Sequence, residues 1–338
     1  MSNASENVYI CRRTAQTVQE PLLGDAVVRF LYSTVRERAP FLFRLAVSRR
    51  MNALLGFINF DMPLGATLTG AKKFVERLGI DLHECVRPSL FYDTPRKIFE
   101  RKIRYWETRP MPEEEGRIVS PADSRAVVGS LDENSMLFIK EKFFRFDELL
   151  GRESPWADRF ARGGFAVFRL TPEKYHFNHV PVSGKVADIY EVDGAYHACN
   201  PRAVVEMVTP YSTNRRTVTV LDTDVPGGAG CGLVAMVEVV ALMIGHVVQC
   251  YSKRGYDDPV PARQGMVLQR GQPKSLFKPG SSVVVLLFEP DRIQFSPDLV
   301  SNQARPGGLF STVFGYPLTE TDITVRSEIG RALAGGVS

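Results

Sequence analysis

Residues 277–289 read Phe-Lys-Pro-Gly-Ser-Ser-Val-Val-Val-Leu-Leu-Phe-Glu and join a reactive dipeptide to an apolar run. The six apolar residues 283–288 predict a strand, which would hold rigidly any chain end that begins just before it. A Gly280-Ser281 bond directly before such a strand is a place where a chain can cleave itself, because glycine lacks a Cβ atom and its peptide can be approached closely. The Ser281 hydroxyl would attack the Gly280 carbonyl to form an ester, β-elimination would break the ester, and hydrolysis would leave a pyruvoyl group. The same dipeptide also forms ordinary turns, so the interpretation depends on the rest of the chain.

Short β-branched runs recur every ten to twenty residues from Ile118 onward. They lie at residues 126–128, 165–170, 185–191, 217–222, 233–240 and 283–288. Few helical patterns separate them, and this favours a mostly antiparallel β-rich domain over residues 118–338. A short helical turn is predicted inside it at residues 147–150.

The sequence before residue 118 has a different pattern. Over about residues 25–60, apolar residues recur at helical spacing with arginines between them, and Pro40 interrupts the pattern. Residues 65–110 again have a helical pattern, with a basic polar face. Such helices can pack on the protein's own core, or lie in a membrane interface with their arginines at anionic headgroups. We therefore predict an α+β fold with a flexible N-terminus at 1–24, amphipathic helices at 25–117 that can associate with a membrane, and the β-rich domain at 118–338.

Composition excludes several classes of function. The chain has 338 residues, of which 44% are hydrophobic and 24% charged, and its net charge of +4 is too mild to indicate nucleic-acid binding. The five cysteines are scattered without a CxxC pair, so neither a disulfide framework nor a zinc site is indicated, and we expect no metal. No segment is long and apolar enough to predict a transmembrane helix, and the N-terminus lacks the apolar core of a signal peptide.

Two further segments supply groups that can activate a serine hydroxyl. Residues 119–124 read Val-Ser-Pro-Ala-Asp-Ser and provide Asp123; residues 175–181 read Tyr-His-Phe-Asn-His-Val-Pro and provide His176 and His179. A histidine can take the proton of a serine hydroxyl while a carboxylate orients the imidazole. Taken alone, the histidines could be structural, or part of a metal site without its third ligand, and the aspartate could form a turn.

These three segments together resemble the phosphatidylserine decarboxylases, a self-processing, pyruvoyl-dependent family. The family has a PADG segment, a YHRxH segment and a C-terminal GST or GSS motif, which correspond here to residues 121–124, 175–179 and 280–282. Weaker matches occur at residues 143–151, 200–201, 211–216 and 287–289. The resemblance runs from about residue 25 to near the C-terminus, in the family's order.

The resemblance implies a role for each matched residue. Cleavage between Gly280 and Ser281 would end the β chain at 280, and Ser281 would become the pyruvoyl cofactor at the start of an α chain of residues 281–338. His179 and Asp123 would form the relay that activates Ser281, and His176 would handle a proton during decarboxylation. The substrate amine would form a Schiff base with the pyruvoyl group, and CO₂ would leave.

The resemblance also implies the partners. We expect phosphatidylserine as the substrate, phosphatidylethanolamine and CO₂ as the products, an anionic membrane surface as a partner, and a homodimer of processed protomers attached to the cytoplasmic face of the cell membrane. Both cleavage products would share the β-rich domain.

Four departures from the family's motifs leave alternatives open. Ser124 replaces a glycine, Phe177 and Asn178 replace an arginine and a small apolar residue, and Pro279 replaces a leucine. If the glycine has a positive φ, Ser124 would strain the turn. The first alternative is a pyruvoyl-dependent decarboxylase of a free amino acid or of another serine-headed lipid, and the second is a membrane-binding relative that does not process.

Overall fold

The computed structural model describes residues 7–20, 41, 48, 76, 78–131, 146–197, 201, 210–241, 246–280, 282–314 and 317–333. In this part of the chain the strands are β1 Val8–Cys11, β2 Thr17–Gln19, β3 Arg117–Val119, β4 Ser124–Ser130, β5 Gly164–Leu170, β6 Phe177–His179, β7 Gly184–Val192, β8 Arg216–Asp222, β9 Leu233–Val240, β10 Val247–Gln249, β11 Val267–Leu268, β12 Pro273–Phe277, β13 Ser282–Phe288, β14 Ile293–Phe295, β15 Glu320–Ile323 and β16 Glu328–Ala332. The helices are α1 Pro95–Phe99, α2 Tyr105–Thr108, α3 Phe146–Leu149, α4 Ala157–Phe160, α5 Pro210–Thr213, α6 Pro297–Gln303 and α7 Gly308–Phe314.

A ten-stranded sheet forms the centre of the fold. Its strand order is β11-β7-β8-β9-β13-β5-β4-β15-β1-β2, and neighbouring strands are antiparallel except for the parallel pair β1 and β15. Two three-stranded sheets accompany it, with the orders β10-β12-β6 and β14-β16-β3. The predicted mostly antiparallel, β-rich fold is therefore confirmed, and each of the six predicted strands is present. Strands β1 and β2, however, lie within residues 1–24, where the sequence predicts a flexible N-terminus, because β1 pairs with β15 of the large sheet.

Strand β13 lies inside the large sheet and is buried along its whole length. Successive side chains of a strand point to opposite faces. Val283, Val285 and Leu287 accordingly join the hydrophobic cluster on one face, whereas Val284 and Leu286 join the cluster on the other. The apolar run that follows the Gly-Ser dipeptide is thus the strand that holds both halves of the core together.

The predicted helical region at 25–117 lies mostly outside the described residues. Within 78–117 the structure contains two 3₁₀ turns, Leu82–Glu84 and Ser89–Phe91, and the short helices α1 and α2. Prolines keep these helical elements short, since a proline can begin a helix, as Pro95 does in α1, but cannot continue one. This part is therefore less helical than its pattern predicted.

Other expectations concern single elements. The helical turn predicted at 147–150 is present as α3. In the part of the chain that the structure describes, no helix has the length and apolarity needed to cross a bilayer.

Candidate active site

Gly280 occupies the point where the chain enters β13. Its backbone is buried and has a φ of +150°, a conformation that favours glycine. Ser281 lies outside the described residues. Ser282 is the first residue of β13 and pairs with Leu170 of β5 on one side and Val240 of β9 on the other. The predicted cleavage position therefore lies at the end of a strand that is fixed from both sides.

The two predicted histidines project from opposite faces of the segment that contains β6. Tyr175, Phe177 and His179 lie on one face, where the ring centroids of Tyr175 and Phe177 are 5.5 Å apart and those of Tyr175 and His179 are 5.6 Å apart. By the alternation of an extended chain, His176 and Asn178 lie on the other face. The sequence places both histidines in one motif, but the fold gives them different surroundings.

His179 is a fully buried, neutral imidazole. Burial, its strongest influence, lowers the pKa of His179 to about 3. Its Nδ1 lies 2.8 Å from the carbonyl oxygen of Gly271, which can only accept a hydrogen bond, so Nδ1 carries the proton. Nε2 then accepts a hydrogen bond from the Tyr175 hydroxyl at 3.0 Å. In this tautomer Nε2 is the nitrogen that can act as a base, and it can do so only after its hydrogen bond with Tyr175 breaks.

His176 is equally buried but has an unused nitrogen. Burial, together with the charge of Arg101, lowers the pKa of His176 to about 3. Its Nδ1 donates to the carbonyl oxygen of Lys174 at 2.8 Å, and its ring lies against Phe99 with centroids 3.7 Å apart. Nε2 is buried and has no hydrogen-bond partner among the described residues. His176 thus presents a free lone pair in a site that excludes water.

Asp123 is held by an arginine that the sequence did not single out. Arg109 donates from Nε to Oδ1 at 3.0 Å and from Nη2 to Oδ2 at 2.9 Å, and the Val325 amide donates to Oδ1 at 2.7 Å. Burial favours a raised pKa for Asp123, but the charge and hydrogen bonds of Arg109 outweigh it, so the pKa lies below its usual value. Asp123 is therefore a buried, ionised carboxylate.

The predicted relay between Asp123 and His179 is not a direct contact in this structure. The His179 amide donates to the Pro121 carbonyl at 2.7 Å, which brings β6 beside the loop before β4. Within the described residues, however, Asp123 bonds to Arg109 and Val325, whereas the His179 ring bonds to Tyr175 and Gly271. The two groups are neighbours with separate partners, and their joint role stays a prediction.

Comparison with known proteins tests the resemblance that the motifs indicated. The sequence model of the family described as phosphatidylserine decarboxylase matches residues 96–309. The chain belongs to this family. The predicted family membership is therefore confirmed.

Relatives from bacteria and from a yeast can be aligned with most of this chain. A Chlamydia trachomatis protein named phosphatidylserine decarboxylase proenzyme is 29% identical over 303 residues, which cover 89% of this chain and 93% of the relative. A Fusobacterium nucleatum protein of the same name is 27% identical and covers 87% and 91%, respectively. A Schizosaccharomyces pombe protein named phosphatidylserine decarboxylase proenzyme 3 is 28% identical over 89% of this chain and 30% of its own length.

The departure from the decarboxylase motif at Ser124 is accommodated without strain. Ser124 begins β4 and is absent from the residues with a positive φ. Its hydroxyl donates to the Ala122 carbonyl at 3.3 Å. The condition under which serine would strain this turn is not met.

The departure at Asn178 is part of a buried polar cluster that sequence reasoning missed. Glu238 of β9 accepts hydrogen bonds from Asn178 of β6 at 3.1 Å, from Ser275 of β12, and from Gln249 of β10 at 2.9 Å. Lys274 of β12 donates to the same carboxylate at 2.7 Å, and both members of this ion pair are completely buried. One glutamate of the large sheet therefore bonds to all three strands of the small sheet. The signal in the sequence was a glutamate inside the apolar run 233–240.

Two polar atoms beside this cluster are left without partners. Asn178 Oδ1 and Ser282 Oγ are buried and have no hydrogen-bond partner among the described residues. On β13, Ser282 is two residues from Val284, which pairs directly with Glu238, so Ser282 and Glu238 lie diagonally on the same face of the sheet. Together with His176 Nε2, these atoms are buried, unsatisfied polar groups of the kind found at functional sites.

Proposed function

We propose that this protein is a phosphatidylserine decarboxylase, a carboxy-lyase that converts phosphatidylserine to phosphatidylethanolamine and CO₂ with a pyruvoyl group made by cleavage between Gly280 and Ser281. Its membership of the family supports this function, and so does the word proenzyme in the relatives' names. The observation that carries the proposal is the free Nε2 of buried, neutral His176 in a fold whose strand β13 begins two residues after Gly280.

The surroundings fit a pyruvoyl group at position 281. Gly280 has no Cβ atom to hinder approach to its carbonyl and has a φ of +150°, and Ser282 is fixed between β5 and β9. When present, a pyruvoyl group supplies the electron sink that makes loss of CO₂ possible. The side chains around it have to orient the substrate, exclude water and move one proton.

We assign these tasks to the residues that the motifs indicated. His176 Nε2 would take up a proton that the substrate ammonium group loses and would deliver it to the carbon from which the carboxylate departs, since its lone pair is buried and otherwise unpaired. Asp123 would act as a fixed negative charge, and His179, released from Tyr175, would be the base for Ser281 during cleavage. Of these residues, His179 ends β6 and Asp123 directly precedes β4.

The fold also supports the proposal that both cleavage products stay together. Strand β13 would belong to the 281–338 fragment, yet it is hydrogen-bonded between β9 and β5 of the larger fragment. We further propose that the limits 25–117 and 118–338 hold, with β1 and β2 of residues 1–24 added to the β-rich domain because β1 pairs with β15. We also propose that the enzyme works as a homodimer on an anionic surface at the cytoplasmic face of the cell membrane.

Mass analysis of wild type and Ser281→Ala tests cleavage first. Wild type should release a fragment of 58 of the 338 residues, or about 6.5 of 37.8 kDa, with a blocked, ketone-reactive N-terminus, whereas Ser281→Ala should stay intact. Processed protein should release CO₂ from phosphatidylserine vesicles but not from free serine. An intact wild type, or CO₂ release from free serine alone, would overturn the proposed function.

A further inference from the structure

Large apolar side chains are exposed on the segment that precedes the decarboxylase motifs. Val86 is 42% exposed, Leu90 94%, Phe91 47% and Trp106 52%. These four are half of the eight large hydrophobic residues that are exposed in the described part of the chain. Single exposed apolar residues are ordinary, but several together mark an interaction site.

Backbone pairing brings these side chains to one region of the surface. Cys85 forms a β-bridge with Ile103, and the Val86 amide donates to the Lys102 carbonyl at 2.9 Å. The 3₁₀ turn Ser89–Phe91 follows directly, and Trp106 lies in α2, just beyond the bridge. We call the area formed by Val86, Leu90, Phe91 and Trp106 the apolar tip.

Cations surround the apolar tip. Residues 86–106 contain six basic and two acidic side chains, a net charge of +4 that equals the net charge of the entire chain. The Lys97 Nζ lies 4.9 Å and the Arg87 guanidinium 5.9 Å from the Phe91 ring centroid, and Lys102 Nζ lies 5.2 Å from that of Tyr256. Lys97 also pairs with Asp93 at 2.8 Å, whereas Arg87 and Lys102 form no ion pair with any residue that the structure describes. Apolar side chains ringed by such cations complement the headgroup and acyl boundary of an anionic bilayer.

The apolar tip is also connected to the candidate active site. Helix α1, which lies between Phe91 and Trp106 in sequence, ends at Phe99, whose ring centroid lies 3.7 Å from that of His176. The next residue, Glu100, pairs at 2.9 Å with Lys278, two residues before Gly280. A lipid whose headgroup reaches His176 would thus have its bilayer close to this surface.

We propose that the apolar tip docks on an anionic lipid bilayer, with Leu90 and Phe91 inserted at the boundary between headgroups and acyl chains and Arg87, Lys97 and Lys102 at the headgroups. The inference deepens the proposed function, because it names the surface that meets the membrane holding the substrate. Trp106 would lie at the interface, which suits an indole with one apolar and one polar side.

The test uses the full chain with Ser281→Ala, so that binding is measured whether or not the protein is an enzyme. The vesicles contain phosphatidylcholine alone or with phosphatidylglycerol, an anionic lipid that is not the proposed substrate. The chain has two tryptophans, so a Trp156→Phe background leaves Trp106 as the reporter. Its emission should shift to shorter wavelength and be quenched by brominated lipid only with anionic vesicles, and the binding should weaken with salt.

The double variant Leu90→Ser/Phe91→Ser should bind anionic vesicles at least about tenfold more weakly, since burial of even one such side chain is worth that factor. The matched control is Val300→Ser on α6, which removes a side chain that is 53% exposed outside the tip and should leave binding unchanged. Unchanged vesicle binding in the double variant would overturn the proposal. A loss of self-association instead, seen by light scattering without vesicles, would also overturn it and assign the tip to a second copy of the chain.

Measurements on active protein separate this proposal from the proposed function. The double variant without Ser281→Ala should cleave normally and should decarboxylate phosphatidylserine dispersed in detergent as wild type does, while losing activity on vesicles. If wild type neither cleaves nor releases CO₂ but its apolar tip binds anionic vesicles, the proposed function fails and the docking surface stands.

Discussion

Glu238 and Lys274 form a completely buried ion pair that joins β9 of the large sheet to β12 of the small one. The Glu238 carboxylate has four donors, and the Lys274 ammonium also donates to Gln249 Oε1 at 2.9 Å. Glu238→Gln removes the negative charge but almost no volume. It leaves the ammonium group buried without a counter-ion, which costs about 3–5 kcal/mol of folding free energy.

The double variant Glu238→Gln/Lys274→Met should recover most of that loss. Methionine fills the place of the lysine stem without a charge, and the replacement of a whole buried ion pair is often neutral or stabilising. We therefore expect a coupling free energy between the two positions of roughly 3 kcal/mol, which is at the upper end of the range measured for residues in contact.

The assay is urea unfolding of four proteins in a Ser281→Ala background, which keeps the chain uncleaved. The matched control is Glu114→Gln, which breaks the exposed pair Arg117–Glu114 and should cost less than about 1 kcal/mol. A coupling free energy below about 1 kcal/mol, or a double variant as unstable as Glu238→Gln alone, would refute the reasoning. The unpaired buried charge would then not be the source of the lost folding free energy.

Three further predictions concern the decarboxylase site. Arg109→Gln removes the charge that opposes the effect of burial on Asp123, so the pKa of Asp123 should rise. The acid limb of the pH profile of self-cleavage, followed on gels, should then move to higher pH. An acid limb at the wild-type pH would contradict this. His176→Gln should permit cleavage but lower the rate of CO₂ release by roughly 10²–10⁴-fold, and full activity would exclude the assigned proton transfer. His176 and His179 each have a pKa of about 3 in the folded chain, so they stay neutral at pH values where the unfolded chain already binds protons. The free energy of unfolding should therefore be highest above about pH 6.5. It should fall by about 1.4 kcal/mol per pH unit for each histidine as the pH drops toward 3. Urea midpoints at pH 7.5 and 5 test this, with exposed His83→Gln as a control that should not change the slope.

The strands of the large sheet could be predicted because their signal is local. Residues 233–240 and 283–288 are continuous apolar runs of strand length, and both lie in the middle of the sheet with their side chains buried. The helical pattern upstream was less reliable, since over 78–117 prolines and tertiary contacts leave only short helices and 3₁₀ turns. Local periodicity states which face is apolar, but not how far an element continues.

The partners of the predicted site residues could not be predicted in the same way. Asp123 was found from its motif, but its counter-ion Arg109 precedes it by 14 residues, in a segment whose basic side chains all looked alike in sequence. The two histidines share one motif, yet alternation along the chain sends them to opposite faces of the segment that contains β6. A motif therefore identifies reactive groups, whereas their tautomers, charges and partners follow from packing.

Asn178 shows how a departure from a family motif can be explained by a distant residue. An amide in place of a small apolar side chain would leave buried donors unsatisfied in apolar surroundings, at a cost of about 1–3 kcal/mol. Here Glu238, 60 residues later, and Ser275 accept from its Nδ2. A charged residue within a strand that is apolar and buried must have a partner, so the glutamate in residues 233–240 was evidence for a polar cluster, although only the fold shows that β6, β10 and β12 supply it.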